Sequence, residues 1–468
     1  MALLREPQIR RIWKTPRAKP ELSFRGCPQF QSGEDVTRLL IMPRIIDKYL
    51  DKLETHGLAK KEAAVFLAVD AELFSNRSME GDVLVLKQVF DLMNISCILL
   101  AEPAEPYRSI IREIIKHDRE CCESKRIAPM DCETRTFFHD IPVIDDFDPV
   151  AVAAALSNRK AAIIKDLGII TYSAFTPEQA YVSFSSTCFS TFVKYFYDSL
   201  IYFDSCAQKG TPVDRAYLKT FDDIVHGTET AGVSGSPVIL RSELPTNDDE
   251  VFEIMAEAGH AIVSQRLVDS QFGNISYVYR DHIFISQTGS SLDELEGCID
   301  MVPLDGSSSI GITASSELSA HKNIYLRNGC NAILHGHPKF SVIMSMYCKE
   351  EGCDRSQCHK TCKKKREIML TPIVPGEIGT GPTGLMNTVP PVMSEGGGVI
   401  VYGHGVFAAD RDTFQKPLDM LMQIEENSFR EYFATVKNLL KHLSEGAPDS
   451  LAEGGQIVSS FEGKDDRH

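Results

Sequence analysis

The chain has 468 residues, more than one ordinary hydrophobic core accommodates, so two domains are expected. Its 43% apolar and 24% charged residues match a soluble globular protein, and no apolar run reaches the roughly 18 residues of a membrane-spanning helix. The net charge of −16 leaves no positive field to offset nucleic-acid phosphates, which argues against nucleic acid and membrane as partners but not against a small anionic substrate held by local donors.

In chain order, residues 1–35 are basic but lack the apolar stretch of a signal peptide, and they read as an N-terminal arm. The protein is therefore expected to be cytoplasmic, where its 13 cysteines are thiols or metal ligands rather than disulfides. Between 36 and 60, apolar residues recur three and four apart and end on a glycine, which predicts an amphipathic helix with its stop. Short apolar runs alternate with helical patterns up to 206, giving a first domain over 36–206. Residues 207–245 are richer in Gly, Thr, Ser and Pro and read as a linker. A second domain spans 246–444 and opens on a helix capped at Asn247, with Asp248 and Asp249 in its first turn. A polar tail occupies 445–468.

A weak internal repeat runs through the chain. CILLAEPAEPY (97–107) aligns with AILHGHPKFSV (332–342), and AAIIKDLGIIT (161–171) aligns with GVIVYGHGVFA (398–408). This places Leu100 against His335, Glu102 against His337 and Leu167 against His404. The separations are near-equal, 65 residues from Glu102 to Leu167 and 67 from His337 to His404. The expectation is a duplicated domain whose first copy lacks the imidazoles.

Those imidazoles carry the chemistry. His335 and His337 are two apart on an apolar strand, so both point to one face, with Gly336 keeping the other face free of bulk. His404 lies between two glycines at the end of another apolar strand, an unfavourable place for an imidazole unless something engages it. Three neutral imidazoles leave an open coordination position, as a catalytic metal requires. Glu317 follows Ser315 and Ser316, which read as N-caps and place it in the first turn of a helix. A helix start with two hydroxyls is also a ready phosphate site. Gly273-Asn274-Ile275-Ser276 and Gln287-Thr288-Gly289 flank the strand YVYRDHIFIS with small polar donors.

Taken together, GNIS, a Thr-Gly turn, SSE, His-x-His-Pro and a final His-Gly at a strand end resemble the class II aldolase/adducin family, over about residues 246–440. The 18 residues from Glu317 to His335 suit that pattern. The resemblance implies an α/β (three-layer α+β) fold with a central, mainly antiparallel sheet flanked by helices, present twice here. By position it implies His335, His337 and His404 as ligands of Zn2+ (or Mn2+, Fe2+ or Co2+), and Glu317 as the catalytic acid/base. It implies a substrate-phosphate pocket from Asn274, Thr288, Gly289, Ser315 and Ser316. The implied activity is that of a metal-dependent aldehyde-lyase, cleaving a small phosphorylated sugar by a retro-aldol reaction through a metal-stabilised enediolate. A sugar-phosphate dehydratase or isomerase on the same scaffold and a non-enzymatic adducin-like binding protein are the alternatives. The family also implies a homo-oligomer, dimer or tetramer, with active sites at interfaces. A degenerate first copy could then replace a neighbouring subunit.

Two features depart from the family. The stretch IMLTPIVPGEIGTGPTG has no Tyr where the family's aldolases contribute one across an interface. Cys348, Cys353, Cys358 and Cys362 fall within fifteen residues, a spacing that suits a second, structural Zn2+ in an inserted loop, an iron–sulfur cluster or a loop of free thiols.

Overall fold

The computed structural model describes residues 41–445 apart from 71, 123–124, 232–237, 270, 308–309, 351–352, 355–356, 363, 378, 380 and 394–396. The arm and the tail read from the sequence therefore lie outside the described residues.

The first sheet is built from β1 (Ala64–Asp70), β2 (Glu72–Ser75), β3 (Cys97–Ala101), β4 (Arg126–Ile127), β5 (Ile141–Ile144), β6 (Ala161–Ile164) and β7 (Gly168–Ser173). The second uses β8 (Asn274–Tyr279), β9 (His282–Ser286), β10 (Ile299–Pro303), β11 (Ala332–Gly336), β12 (Arg366–Ile368), β13 (Thr371–Val374), β14 (Gly398–Val401) and β15 (Gly405–Asp410). The first runs β2-β1-β3-β7-β6-β5-β4, and the second β10-β9-β8-β11-β15-β14-β13-β12. Apart from the extra edge strand β10, the two orders are the same. Each sheet is antiparallel except for one parallel pair, β5 with β6 and β13 with β14. The fold is thus α/β, with two mainly antiparallel sheets flanked by helices.

The register repeats as well. Leu100 pairs with Ile170 as His335 pairs with Phe407. Val143 pairs with Ile163 as Ile373 pairs with Ile400. The turns into β7 and β15 also match. Leu167 donates its N–H to Ile164 and His404 to Val401, both at 3.1 Å, and the preceding Asp166 and Gly403 have φ of 60° and 58°. At the next position a glycine is required in both sheets. A Cβ on Gly168 would lie 2.3 Å from the Ala101 carbonyl oxygen, and one on Gly405 would lie 2.4 Å from that of Gly336.

Helices form where the sequence predicts them. Ile41–Thr55 buries Met42, Ile46, Tyr49, Leu50 and Leu53 on one face, and Gly57 follows at φ 66° as its stop. Asn247 caps Asp248–Ser264 by accepting from the Glu250 N–H. The reading of 207–245 as a linker is corrected. The helix Pro177–Lys209 runs into it, and residues Arg215–Ala231 form another helix that buries Phe221, Ile224 and Val225. Those three residues have helical spacing, which outweighs the Gly and Thr content around them.

The two halves share one hydrophobic core. The helix Pro177–Lys209 is buried along most of its length and packs against the helices Lys339–Met346 and Gln415–Glu445 as well as against its own sheet. Phe196 lies 5.4 Å from Phe340 and 5.7 Å from Tyr432, whose hydroxyl donates to the Phe196 carbonyl at 2.7 Å. At the edge of this core, Lys52 of the first half pairs with Asp293 at 2.9 Å and Glu294 at 2.6 Å, and His56 faces Asp293 at 3.6 Å. Among the described residues no helix is long and apolar enough to cross a membrane.

Candidate metal centre

His335 sits on β11 between Asn274 of β8 and Phe407 of β15, and its ring stacks on Phe407 at 3.9 Å. Gly336 turns the strand past Leu267, whose carbonyl oxygen lies 2.7 Å from where a Cβ would stand and accepts the His337 N–H at 2.9 Å. His337 is thereby brought back to the same side, and its ring stacks on Phe272. His404 arrives from the turn between β14 and β15. The three imidazole centroids form a near-equilateral triangle of 4.8, 4.9 and 5.1 Å, and all three side chains are buried.

The tautomers can be read from the partners. His335 Nδ1 lies 3.0 Å from the Val406 carbonyl, so it donates there and leaves a bare lone pair on Nε2. His337 Nε2 lies 3.0 Å from that lone pair, and His404 Nε2 lies 3.0 Å from Glu317 Oε1. The inner nitrogens of all three rings therefore converge on one point, and the trio has the spacing of a metal-holding group. Burial pushes the histidines toward the neutral, ligating form, His335 down to about 4 and His337 well below its usual value. His404 goes the other way. Burial opposes its charge, but Cys132, Glu133 and Glu317 surround it and hold it well above the ordinary histidine range.

Glu317 is placed differently from the expectation. It occupies the N-cap position of the helix Leu318–Asn328, not its first turn, and its side chain caps nothing. The carboxylate turns inward instead, accepting from Asn274 Nδ2 at 2.8 Å and facing His335 Nε2 at 3.4 Å. Burial alone would raise its pKa. The charges of His335 and His404 and the hydrogen bonds from His404 and Asn274 outweigh it and hold the group well below the usual carboxylate range.

The residues predicted for a phosphate pocket gather beside Glu317. Ile275 N–H donates to Ser286 Oγ and Ser315 N–H to the Ser286 carbonyl, which ties β8, the end of β9 and the Ser315 segment together. Thr288 donates both its N–H and its hydroxyl into this segment, to Thr313 and Ala314, and Gly289 turns with φ 76°. Ser315 is buried and accepts the Glu317 N–H at 3.3 Å, while Ser316 is exposed. Asn274 Oδ1 is buried without a hydrogen-bond partner.

Three residues near the site have no signal of their own in the sequence reading. His321, one turn along the helix from Glu317, is buried against Ser276 and Phe407, with burial lowering it to about 3. Cys132 and Glu133 come from the first half. The Cys132 N–H donates to the Gly403 carbonyl at 2.7 Å, Cys132 Sγ lies 3.1 Å from His404 Nδ1, and Glu133 Oε1 also lies 3.1 Å from it. Asp131, a helix N-cap signature ahead of Cys132 and Glu133, is the one hint that this segment is ordered.

At the positions of the three histidines the first half has Leu100, Glu102 and Leu167, and Glu102 pairs with Arg108 at 3.4 Å. The four-cysteine loop has Cys358 buried and Cys353 exposed, and its thiols lie close enough that, after burial, Cys362, Cys348 and Cys353 help raise Cys358. No three of these sulfurs form a group within 4.8 Å of one another among the described residues.

Residues 253–427 match the family model of the Class II Aldolase and Adducin N-terminal domain. An L-fuculose phosphate aldolase from Methanococcus maripaludis is 37% identical over 91 residues, which are 19% of this chain and 46% of that protein, so the chain spans about half the length of this relative. The crystal structure of L-fuculose-1-phosphate aldolase from Thermus thermophilus is 19% identical, covering 40% of this chain and 96% of its own, with a TM-score of 0.32. That of a sugar-phosphate aldolase from Thermotoga maritima is 20% identical, covering 43% and 97%, with a TM-score of 0.29. The half that carries the three histidines is thus similar to the class II aldolase/adducin family.

Proposed function

We propose that the protein is a divalent-metal-dependent aldehyde-lyase that cleaves a small phosphorylated sugar. The observation that supports this most is the convergence of the inner nitrogens of His335, His337 and His404 beside the ionised Glu317 carboxylate. These three histidines would hold a zinc, manganese, iron or cobalt ion, and a bound ion there supplies a Lewis acid for a substrate carbonyl.

Cleavage of a ketose phosphate breaks the bond between the carbon beside the carbonyl and the hydroxyl-bearing carbon beyond it. The hydroxyl loses its proton as an aldehyde forms, and the carbon left with the electron pair takes a proton up. Glu317 is ionised and fixed by Asn274, so it is placed to accept a proton and return it. Asn274, Thr288, Gly289, Ser315 and Ser316 would hold the phosphate, near the positive end of the helix that begins beside Glu317. The relative that is an L-fuculose phosphate aldolase supports this substrate class.

The first half acts as a scaffold, since Leu100, Glu102 and Leu167 offer no equivalent ligand set. In the place of a neighbouring copy it would let two chains complete a ring of four sheets. A dehydratase or isomerase on the same scaffold is the second reading, and the stretch 368–384 favours it by having no Tyr to protonate a leaving fragment. The test is a screen of phosphorylated ketoses with protein loaded with Zn2+, Mn2+ or Co2+. Release of an aldehyde and dihydroxyacetone phosphate, lost in Glu317→Gln, is expected. A dehydrated or isomerised product moves the assignment to the second reading, and a wild-type protein that binds no ion would leave a binding protein.

A further inference from the structure

We infer that Glu133, on the first half of the chain, is a positioning residue for His404, so that the three-histidine site is completed by a carboxylate from the sheet that lacks histidines. The inference rests on that site holding a divalent ion.

A ligating imidazole must present a bare lone pair, and the hydrogen-bond partner of its other nitrogen decides this. For His335 the partner is the Val406 carbonyl within its own sheet. Among the described residues, His404 Nδ1 has no such partner in its own half. Its turn is short and its N–H is used by Val401. What meets Nδ1 comes from 271 residues away in sequence, Glu133 Oε1 at 3.1 Å. A carboxylate accepting Nδ1–H fixes the ring so that Nε2, now 3.0 Å from Glu317 Oε1, is the nitrogen left to face an ion on the inner side.

The placement of Glu133 is itself built. Asp131 caps the helix Cys132–Phe138, accepting the Thr134 N–H at 2.8 Å. The first residue of that helix is fastened to the turn before His404 by the 2.7 Å bond from the Cys132 N–H to the Gly403 carbonyl. Glu133 follows directly, so its side chain has a fixed origin. The helix sits in the connection between β4 and β5, residues 128–140. In the second sheet the connection between β12 and β13 is only residues 369–370. The segment that reaches His404 thus exists in one half, and the histidine it serves exists in the other. Cys132 Sγ is equally near His404 Nδ1, but a thiol is a weak acceptor beside a carboxylate.

The test uses the full chain, stripped of metal and titrated with Co2+, with binding followed by visible absorption. Glu133→Ala should bind Co2+ about 10- to 100-fold more weakly than wild type, the usual effect of removing the outer partner of a ligating histidine. Glu133→Gln, whose amide oxygen still accepts, should fall between the two, and Cys132→Ala should bind as wild type does. Should Glu133→Ala not be recovered folded, Glu133→Gln and Glu133→Asp carry the same comparison. Wild-type affinity in Glu133→Ala, or in Glu133→Gln if that is the variant recovered, overturns the inference. So does a sulfur-to-cobalt charge-transfer band that Cys132→Ala removes, because it puts the ion among Cys132, Glu133 and His404. A wild-type chain that takes up no Co2+ refutes the metal reading itself, whereas normal uptake with indifference to Glu133 refutes only the positioning role.

Discussion

Asn274 donates to Glu317 across 2.8 Å inside the protein, and the two residues are held there by different elements, one at the start of β8 and one at the start of the helix Leu318–Asn328. The bond fixes which way the carboxylate faces. A hydrogen bond to a charged group is worth about 1.5–3 kcal/mol, so Asn274→Ala should lower kcat/KM on the cleaved sugar phosphate by roughly 10- to 100-fold. Metal content should stay at the wild-type level, because Asn274 is not among the converging nitrogens. Steady-state kinetics together with elemental analysis read both outcomes, and loss of the ion in this variant would contradict the separation of roles.

His335→Ala and His337→Ala should each lose the bound divalent ion while keeping the fold. His335 lies on β11 and His337 just past its end, both buried beside aromatic neighbours, so truncation leaves a cavity and costs stability as well, on the order of 1–3 kcal/mol. Elemental analysis after gel filtration, paired with a thermal melt, distinguishes ion loss from unfolding.

The two equivalent glycines give a paired prediction. Gly168→Ala and Gly405→Ala should both destabilise the chain by about 1–3 kcal/mol, because each new Cβ meets a carbonyl oxygen on the adjacent strand. Only Gly405→Ala should also weaken metal binding, since its Cβ would lie 2.9 Å from His335 Cε1 and 3.0 Å from His337 Cδ2. Equal metal affinity in the two variants would count against a site at this turn.

The contact between Lys52 and Asp293 predicts an acid-labile junction. Burial alone would raise Asp293, but the bonds from His56 and Ser291 and the pairing with Lys52 hold it well below the usual carboxylate range. A depressed native pKa contributes stability that is present above the unfolded value, near about 3.9, and is lost as pH falls through the native one. Lys52→Ala should therefore be less stable than wild type by roughly 1–3 kcal/mol at about pH 7. The difference should shrink as the pH drops below about 4. Urea unfolding of both proteins between those limits checks the sign.

Much of the site is legible in the sequence because strand geometry is periodic. Two histidines two apart share a face, and a histidine between glycines at a strand end marks a crowded turn, so His335, His337 and His404 group together without coordinates. The alignment of Leu100 with His335 follows from the same regularity, and the observed register repeats it. The position of Glu317 is legible to within a residue, but the direction of its carboxylate is not, since that depends on Asn274 and His404, 43 and 87 residues away. Glu133 is out of reach for the same reason, as nothing local to either residue records a contact across the chain. The helix Arg215–Ala231 hides behind its composition. Phe221, Ile224 and Val225 carry a helical spacing, but the glycine and threonine around them point to a linker.

Two sheets with one register and unlike side chains relax a constraint that identical copies must obey. When one sequence forms both a site and the surface that covers its neighbour's site, every substitution is judged twice. Here the turn at Asp166 and Leu167 and the turn at Gly403 and His404 hold the same backbone shape with different duties. The connection that carries Glu133 can be long in one sheet while its counterpart in the histidine-bearing sheet stays two residues. Each chain then carries one site and one fixed companion for it, so the ratio of the two is set by the gene and not by the concentration at which copies meet.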